Sequence, residues 1–182
     1  MHWFHDLGEY LIKEINYISR REALKAFSSS ALLMSLPLKG IGKSSSMITD
    51  FSASEISAMI LAKKVSCEEV MHAYLAKIAA VNPLYNAIVS MPNEEILINQ
   101  ARTADIELSK DMYRGWMHGM PHAIKDLAYS KDLPTSEGSP ILAGTRGTKD
   151  NLFVSRLRAA GAIFIGKTNV PEFGYGSQTY NK

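Results

Sequence analysis

With one cysteine, Cys67, in 182 residues, the chain can form no internal disulfide and has no second thiolate with which to build a zinc site. Its stability therefore rests on a packed core. Charge of one sign is equally scarce, since 20 Lys and Arg face 18 Asp and Glu for a net charge of +2. That balance makes neither a basic stripe for phosphates nor an acidic tail, so nucleic acid is not expected as a partner. Long apolar runs are missing too, where a bilayer-spanning helix needs about 20 predominantly apolar residues. The uncharged run Ala26 to Leu38 is 13 residues long and carries Ser28, Ser29, Ser30 and Ser35. A second, Ile78 to Asn93, is interrupted by Pro83 and Pro92 and reads as two elements around a turn. No stable membrane span is expected. What is present is ordinary globular usage, 46% hydrophobic and 21% charged, with no internal repeat.

The amino-terminal stretch has the order of an export address. Ser19-Arg20-Arg21-Glu22-Ala23-Leu24-Lys25 precedes the short uncharged run, and Lys39-Gly40-Ile41-Gly42-Lys43-Ser44-Ser45-Ser46 follows it as a small-residue spacer. The arginine pair resembles a twin-arginine signal. It departs from the strongest form in having Ala23 where Phe is common, and Gly40-Ile41-Gly42 in place of an Ala-x-Ala cleavage site. The other reading is a surface helix with a basic patch. Residues 1–46 are accordingly assigned as a signal-like segment and linker, and 47–182 as the folded portion. A functional signal would make the protein exported or periplasmic; otherwise it would be cytoplasmic.

Beyond the linker, Ser52-Ala53-Ser54-Glu55 and Ser66-Cys67-Glu68-Glu69 both fit a capping box, in which the serine hydroxyl accepts an orphan amide and the glutamate reaches back. They predict a helix from about Ala53 to Lys63 and a second ending near Asn82-Pro83, packed as a hairpin. Ala87-Ile88-Val89 reads as a strand, and Pro92 as the first residue of a helix to about Leu108 with Ile96, Ala101, Ala104 and Leu108 on its buried stripe. After Gly115 the texture becomes Gly- and Pro-rich with short apolar runs. His122 to Ile124 predicts a strand. Asp150 is placed to cap a helix carrying Leu152, Phe153, Leu157 and Ala160, with Arg156 and Arg158 near its end and Gly161 as a left-handed stop. Ala162 to Ile165 predicts a buried strand, so the strand-helix-strand order implies a crossover in a parallel or mixed sheet. The expected fold class is α/β: a helix hairpin leading into a mixed sheet flanked by helices.

Chemistry is sought in the second half. Lys125 ends the run Gly119-Met120-Pro121-His122-Ala123-Ile124-Lys125-Asp126, sharing a strand face with Ala123 while His122 and Ile124 share the other. A lysine desolvated at such a place loses its ammonium preference, becomes able to accept a proton, and can then activate a neighbouring serine. Thr135-Ser136-Glu137-Gly138-Ser139 by itself signals turn chemistry. Gly166-Lys167-Thr168 fails as a phosphate loop, because residues 162–165, which would have to wrap the phosphate, form an apolar strand. His2, His5, His72, His118 and His122 lack ligand spacing, His118 and His122 being separated by Pro121, so no metal and no cofactor is expected.

Taken together, Gly119 to Asp126, Thr135 to Ser139, and Arg158 to Phe173 resemble three consecutive blocks of the amidase signature family, in order and in spacing. The helix hairpin and Asn86-Ala87-Ile88 resemble that family's amino-terminal region, so the likeness runs from about Thr49 to Lys182. The resemblance implies hydrolysis of a carbon–nitrogen amide bond in a small-molecule amide by a Ser-Ser-Lys triad, with Lys125 at the position of the family lysine. The bridging serine and the nucleophile belong to Gly/Ser blocks downstream of the segment matching Asn169 to Phe173, and neither block is present. Gly176-Ser177-Gln178 lacks the glycine framing of such a nucleophile. The expectation is the first part of an amidase, incomplete at the carboxyl terminus, inactive alone and exposing an edge that could make it a homodimer. The alternatives are a catalytically silent remnant or interaction module, and the amide-transferring subunit of a tRNA-dependent amidotransferase, against which an export signal would argue.

Overall fold

A computed structural model of the protein describes residues 48–179. The segment read as an export signal, 1–46, lies outside them. Helix α1 (Ala53–Leu61) and helix α2 (Cys67–Tyr85) both start at the capping boxes read from the sequence. The Ser52 and Ser66 amides donate to Glu55 and Glu69, each at 2.8 Å, and each such cap is worth about 1 kcal/mol. Strand β1 (Ile88–Ser90), helix α3 (Glu94–Ser109), strand β2 (Pro121–Lys125), helix α4 (Leu152–Ala159) and strand β3 (Ile163–Thr168) complete the order. The strands form a mixed sheet in the order β1-β3-β2, with β1 antiparallel and β2 parallel to β3.

Several boundaries differ from the sequence expectation, among them β3, which starts at Ile163 and continues to Thr168 where Ala162 to Ile165 was expected. Helix α2 runs past Asn82-Pro83 to Tyr85, because Pro83 falls in the last turn and Asn86 closes the helix in the left-handed conformation with φ 46°. The Asn82 side chain then pairs with both backbone groups of Ile88, at 2.9 and 2.8 Å, and so starts β1 one residue later than Ala87. Pro92 is not in α3. Asn93 caps that helix instead, its side-chain oxygen accepting the Glu95 amide at 2.8 Å. At α4, Asp150 is not the cap: Asn151 holds that position without a side-chain hydrogen bond, and the Asp150 carboxylate is taken by Arg158 and the Lys131 amide.

The sheet is covered on both faces. One face receives α1, α2 and α3 through Ile56, Ile60, Val70, Met71, Leu97, Ala101, Ile163 and Ile165. The other receives α4 through Val154, packed with Met117, Ile124, Leu133 and Phe164. The period-two assignment in β2 matches this division, since Ala123 packs toward the first cluster and Ile124 belongs to the second. One core assignment does not hold. Ile96 is 52% exposed and Leu97 fully buried, because five residues from Ile96 to Ala101 turn a helix about 140° out of phase, whereas Leu97, Ala101, Ala104 and Leu108 share one stripe. In α4, Leu152 and Phe153 are exposed while Val154 is buried, with Leu157 and Ala160 packed beside it.

A side chain from α3 fastens these helices end to side. Asp105 accepts the Cys67 amide at 2.7 Å and the Glu68 amide at 3.1 Å, satisfying two orphan donors at the start of α2 with a carboxylate placed favourably against the helix dipole. The Cys67 thiol is buried beside it, and burial foremost pushes its pKa upward, so it is a packing group. His118 is likewise a satisfied core residue: its Nδ1 accepts the Arg114 amide at 3.2 Å, leaving Nε2 to donate to the Ala104 carbonyl at 2.9 Å. Among the described residues no helix is long and apolar enough to cross a membrane.

Candidate active site at the strand ends

The carboxyl ends of parallel strands β2 and β3 lie side by side, with Lys125 in register with Thr168. The Asp126 amide extends the ladder by donating to the Thr168 carbonyl at 3.1 Å. Crevices beyond the carboxyl ends of parallel strands are where open α/β sheets hold ligands. Here that crevice is a cavity of about 550 Å³ walled by Val89, Ser90, Asp126, Ser136, Ser139 and Asn169 among others. Lys125 precedes the cavity-lining Asp126, and its side chain is exposed. Gly176 and Ser177 are exposed as well, on the far side of a short turn, Glu172–Gly174.

Asp126 is the centre of the wall. Its carboxylate is 3% exposed and accepts the Ser136 hydroxyl at 2.5 Å and the Ser136 amide at 3.1 Å. The Gly138 amide points to the same oxygen at 3.4 Å, and the Glu137 amide donates to the Asp126 carbonyl at 3.1 Å. To wrap a carboxylate this closely the chain must curl, and Glu137 and Gly138 accordingly take successive left-handed conformations with φ 53° and 69°. Glu137 is an unusual residue to do so, and it is held from two sides. Tyr129 donates its hydroxyl to the Glu137 carboxylate at 2.8 Å, and the Phe173 amide donates to the Glu137 carbonyl at 2.7 Å. That bond to Glu137 is the first cause of the raised Tyr129 pKa. The Ser139 hydroxyl donates to Glu172 at 2.7 Å, so the segment after β3 is tied to the same loop.

The buried cation of the region is Lys167. Its side chain is fully enclosed, and Nζ donates to the Thr135 hydroxyl at 2.7 Å and to the Ala128 carbonyl. Desolvation lowers its pKa, opposed by the charge of Asp126. The rejection of a phosphate loop stands, since β3 continues through Gly166 and Lys167. Gly166 is there for β1: a Cβ on it would lie 2.5 Å from the Ser90 carbonyl oxygen. Sequence reasoning placed Asp126, Thr135 to Ser139 and Lys167 within the three family blocks but gave none of them a role in the site, reading Asp126 as a neighbour of Lys125, Thr135 to Ser139 locally as turn chemistry, and Lys167 as a failed phosphate ligand. The available signal was a lysine inside an otherwise apolar strand, together with a hydroxyl-rich loop following an aspartate at a strand end.

A strand-end crevice walled by a serine-rich loop, on a mixed sheet between helices, defines an α/β protein with its candidate site beyond the carboxyl ends of parallel strands. The family model for amidases matches residues 69–182, and the chain belongs to that family. It is 39% identical over 132 residues to a glutamyl-tRNA(Gln) amidotransferase subunit of Salinispora arenicola, covering 72% of this chain and 27% of that one. It is 38% identical to an acylamidase of Rhodococcus erythropolis, covering 71% and 27%. Among solved structures, native peptide amidase from Stenotrophomonas maltophilia superposes with a TM-score of 0.63 at 31% identity, over 68% of this chain and 26% of that one. The chain thus spans about a quarter of the length of these relatives.

Proposed function

We propose that these residues form the lysine-bearing portion of an amide carbon–nitrogen hydrolase, working by a Ser-Ser-Lys triad on a small-molecule amide, and that the 182 residues alone turn nothing over. The observation that carries the reading is the position of Lys125, at the end of β2 and next to Asp126, which lines a strand-end cavity together with Ser136 and Ser139. The bridging and nucleophilic serines would come from Gly/Ser blocks outside this sequence. The Lys125 side chain is exposed within the described residues, and in this reading the same blocks would cover it. So covered, Lys125 takes the proton of the bridging serine, which takes that of the nucleophile as it attacks the amide carbonyl; the proton then returns to the leaving amine.

The test is a chimera in which the chain is joined to the remaining portion of the Stenotrophomonas peptide amidase and assayed on amides. Arginine cannot lose its proton, so Lys125→Arg should be as inactive as Lys125→Ala, each down about a thousandfold or more, as when a member of a serine triad is removed. A Lys125→Arg chimera with most of its turnover would make Lys125 an electrostatic anchor and overturn the role. A second reading, the amide-transferring subunit of a tRNA-dependent amidotransferase, is favoured by the 39–40% identity to glutamyl-tRNA(Gln) amidotransferase chains. It predicts capture of partner subunits by the chain. The export reading of residues 1–46, supported by Arg20-Arg21 ahead of the short uncharged run, predicts none.

A further inference from the structure

A fully enclosed lysine with no carboxylate in contact among the described residues is uncommon enough to ask what it is for. Lys167 leaves β3 directly opposite Ile124 and meets two acceptors, the Ala128 carbonyl and the Thr135 hydroxyl. Each belongs to one end of the segment that follows Lys125. Ala128 closes the turn after Lys125, its amide donating to the Lys125 carbonyl at 2.8 Å. Thr135 immediately precedes Ser136, and its amide is held by the Thr145 carbonyl at 2.7 Å. A third edge joins the two acceptors, since the Thr135 hydroxyl reaches the Ala128 carbonyl at 3.4 Å.

We propose that Lys167 is a positioning residue, a buried strut that sets the turn carrying Lys125 and the Ser136–Ser139 wall of the cavity in fixed relation to β3. Its use to the reaction rests on the assignment of Lys125 as proton carrier; its geometry does not. The long side chain is what makes this possible, because a rigid strand can hold a loop at a distance only through a side chain of that reach ending in a multiple donor. Removing the donors while keeping the length and apolar stem frees both acceptors at once. Asp126 would still bind Ser136, but from a turn no longer anchored at Ala128.

Amide hydrogen exchange on the full 182-residue chain reads this without any turnover, so its outcome is separate from that of the Lys125 chimera. Lys167→Met should speed exchange of the Ser136 and Gly138 amides at least tenfold while Val70 in α2 and Ala101 in α3 keep their wild-type rates; Lys125→Ala should change none of the four. Unchanged exchange at Ser136 and Gly138 would overturn the proposal, and so would an equal acceleration at all four amides, which would make Lys167 a general core residue. If Lys167→Met does not fold, Thr135→Val decides in the same way, because it removes one acceptor of the strut at nearly constant volume: selective acceleration at Ser136 and Gly138 supports the role, and no change refutes it.

Discussion

Replacing Asp126 by alanine should destabilise the chain by about 3–5 kcal/mol, and the figure follows from what its carboxylate holds. Two contacts are short, the Ser136 hydroxyl at 2.5 Å and the Ser136 amide at 3.1 Å, while the Gly138 amide at 3.4 Å is too long to count fully. Hydrogen bonds to a charged group are worth about 1.5–3 kcal/mol each, and alanine would take this partner from both half-buried donors of Ser136. The gain from no longer burying a carboxylate offsets part of this, which is why the top of the summed range of about 3–6 kcal/mol is left out. Against a stability of about 5–15 kcal/mol for a whole domain the loss is large. In urea, at a slope of about 2 kcal/mol per molar, the midpoint should fall by about 2 M with the slope unchanged. Asp126→Asn keeps one oxygen as acceptor, so its midpoint should fall about half as far. Equilibrium unfolding followed by far-ultraviolet circular dichroism measures both. If alanine costs less than about 1 kcal/mol, or if asparagine costs as much as alanine, the carboxylate is not what shapes the loop, and the buried Lys167 and the Ser139–Glu172 contact would have to carry it instead.

Other outcomes follow from the same contacts. Leu97→Ala should cost about 3–5 kcal/mol and Ile96→Ala less than about 1, because only the first opens a cavity in a sealed stripe; equal costs in a urea titration would restore the other helix phase. Burial lowers the Lys167 pKa, so below it the folded chain carries the penalty of an enclosed ammonium, and between it and the ordinary lysine value the folded state binds fewer protons than the unfolded one. Wild type should therefore gain stability relative to Lys167→Met as pH rises toward about 10.4, the unperturbed lysine value, and a difference independent of pH would contradict that burial. Residues 1–46 fused to a reporter should direct its translocation, and Arg20→Lys with Arg21→Lys should abolish it; unchanged translocation would exclude the twin-arginine route.

The elements with strong local causes were legible in the amino-acid sequence. Both capping boxes, the Gly161 stop with φ 98°, and the apolar β3 depend on residues within a few positions of one another, and local physics is enough to place them. The family blocks around Lys125 were legible for the same reason, being contiguous strings. Helix phase was legible too, since Leu97, Ala101, Ala104 and Leu108 are spaced by four, three and four residues, and choosing Ile96 over the adjacent, equally apolar Leu97 put one member off that stripe. Asp150 could not be read as an arginine partner instead of a cap, since Arg158 reaches it only once α4 has formed. The wall of the cavity belongs wholly to tertiary structure. Asp126 binds a loop ten residues away, and Lys167 binds Ala128 and Thr135 across more than thirty. A lysine in a strand carries no local mark of which loop it will enter, and burial, which gives that lysine its effect, exists only when the parallel pairing of β2 and β3 brings the two segments together.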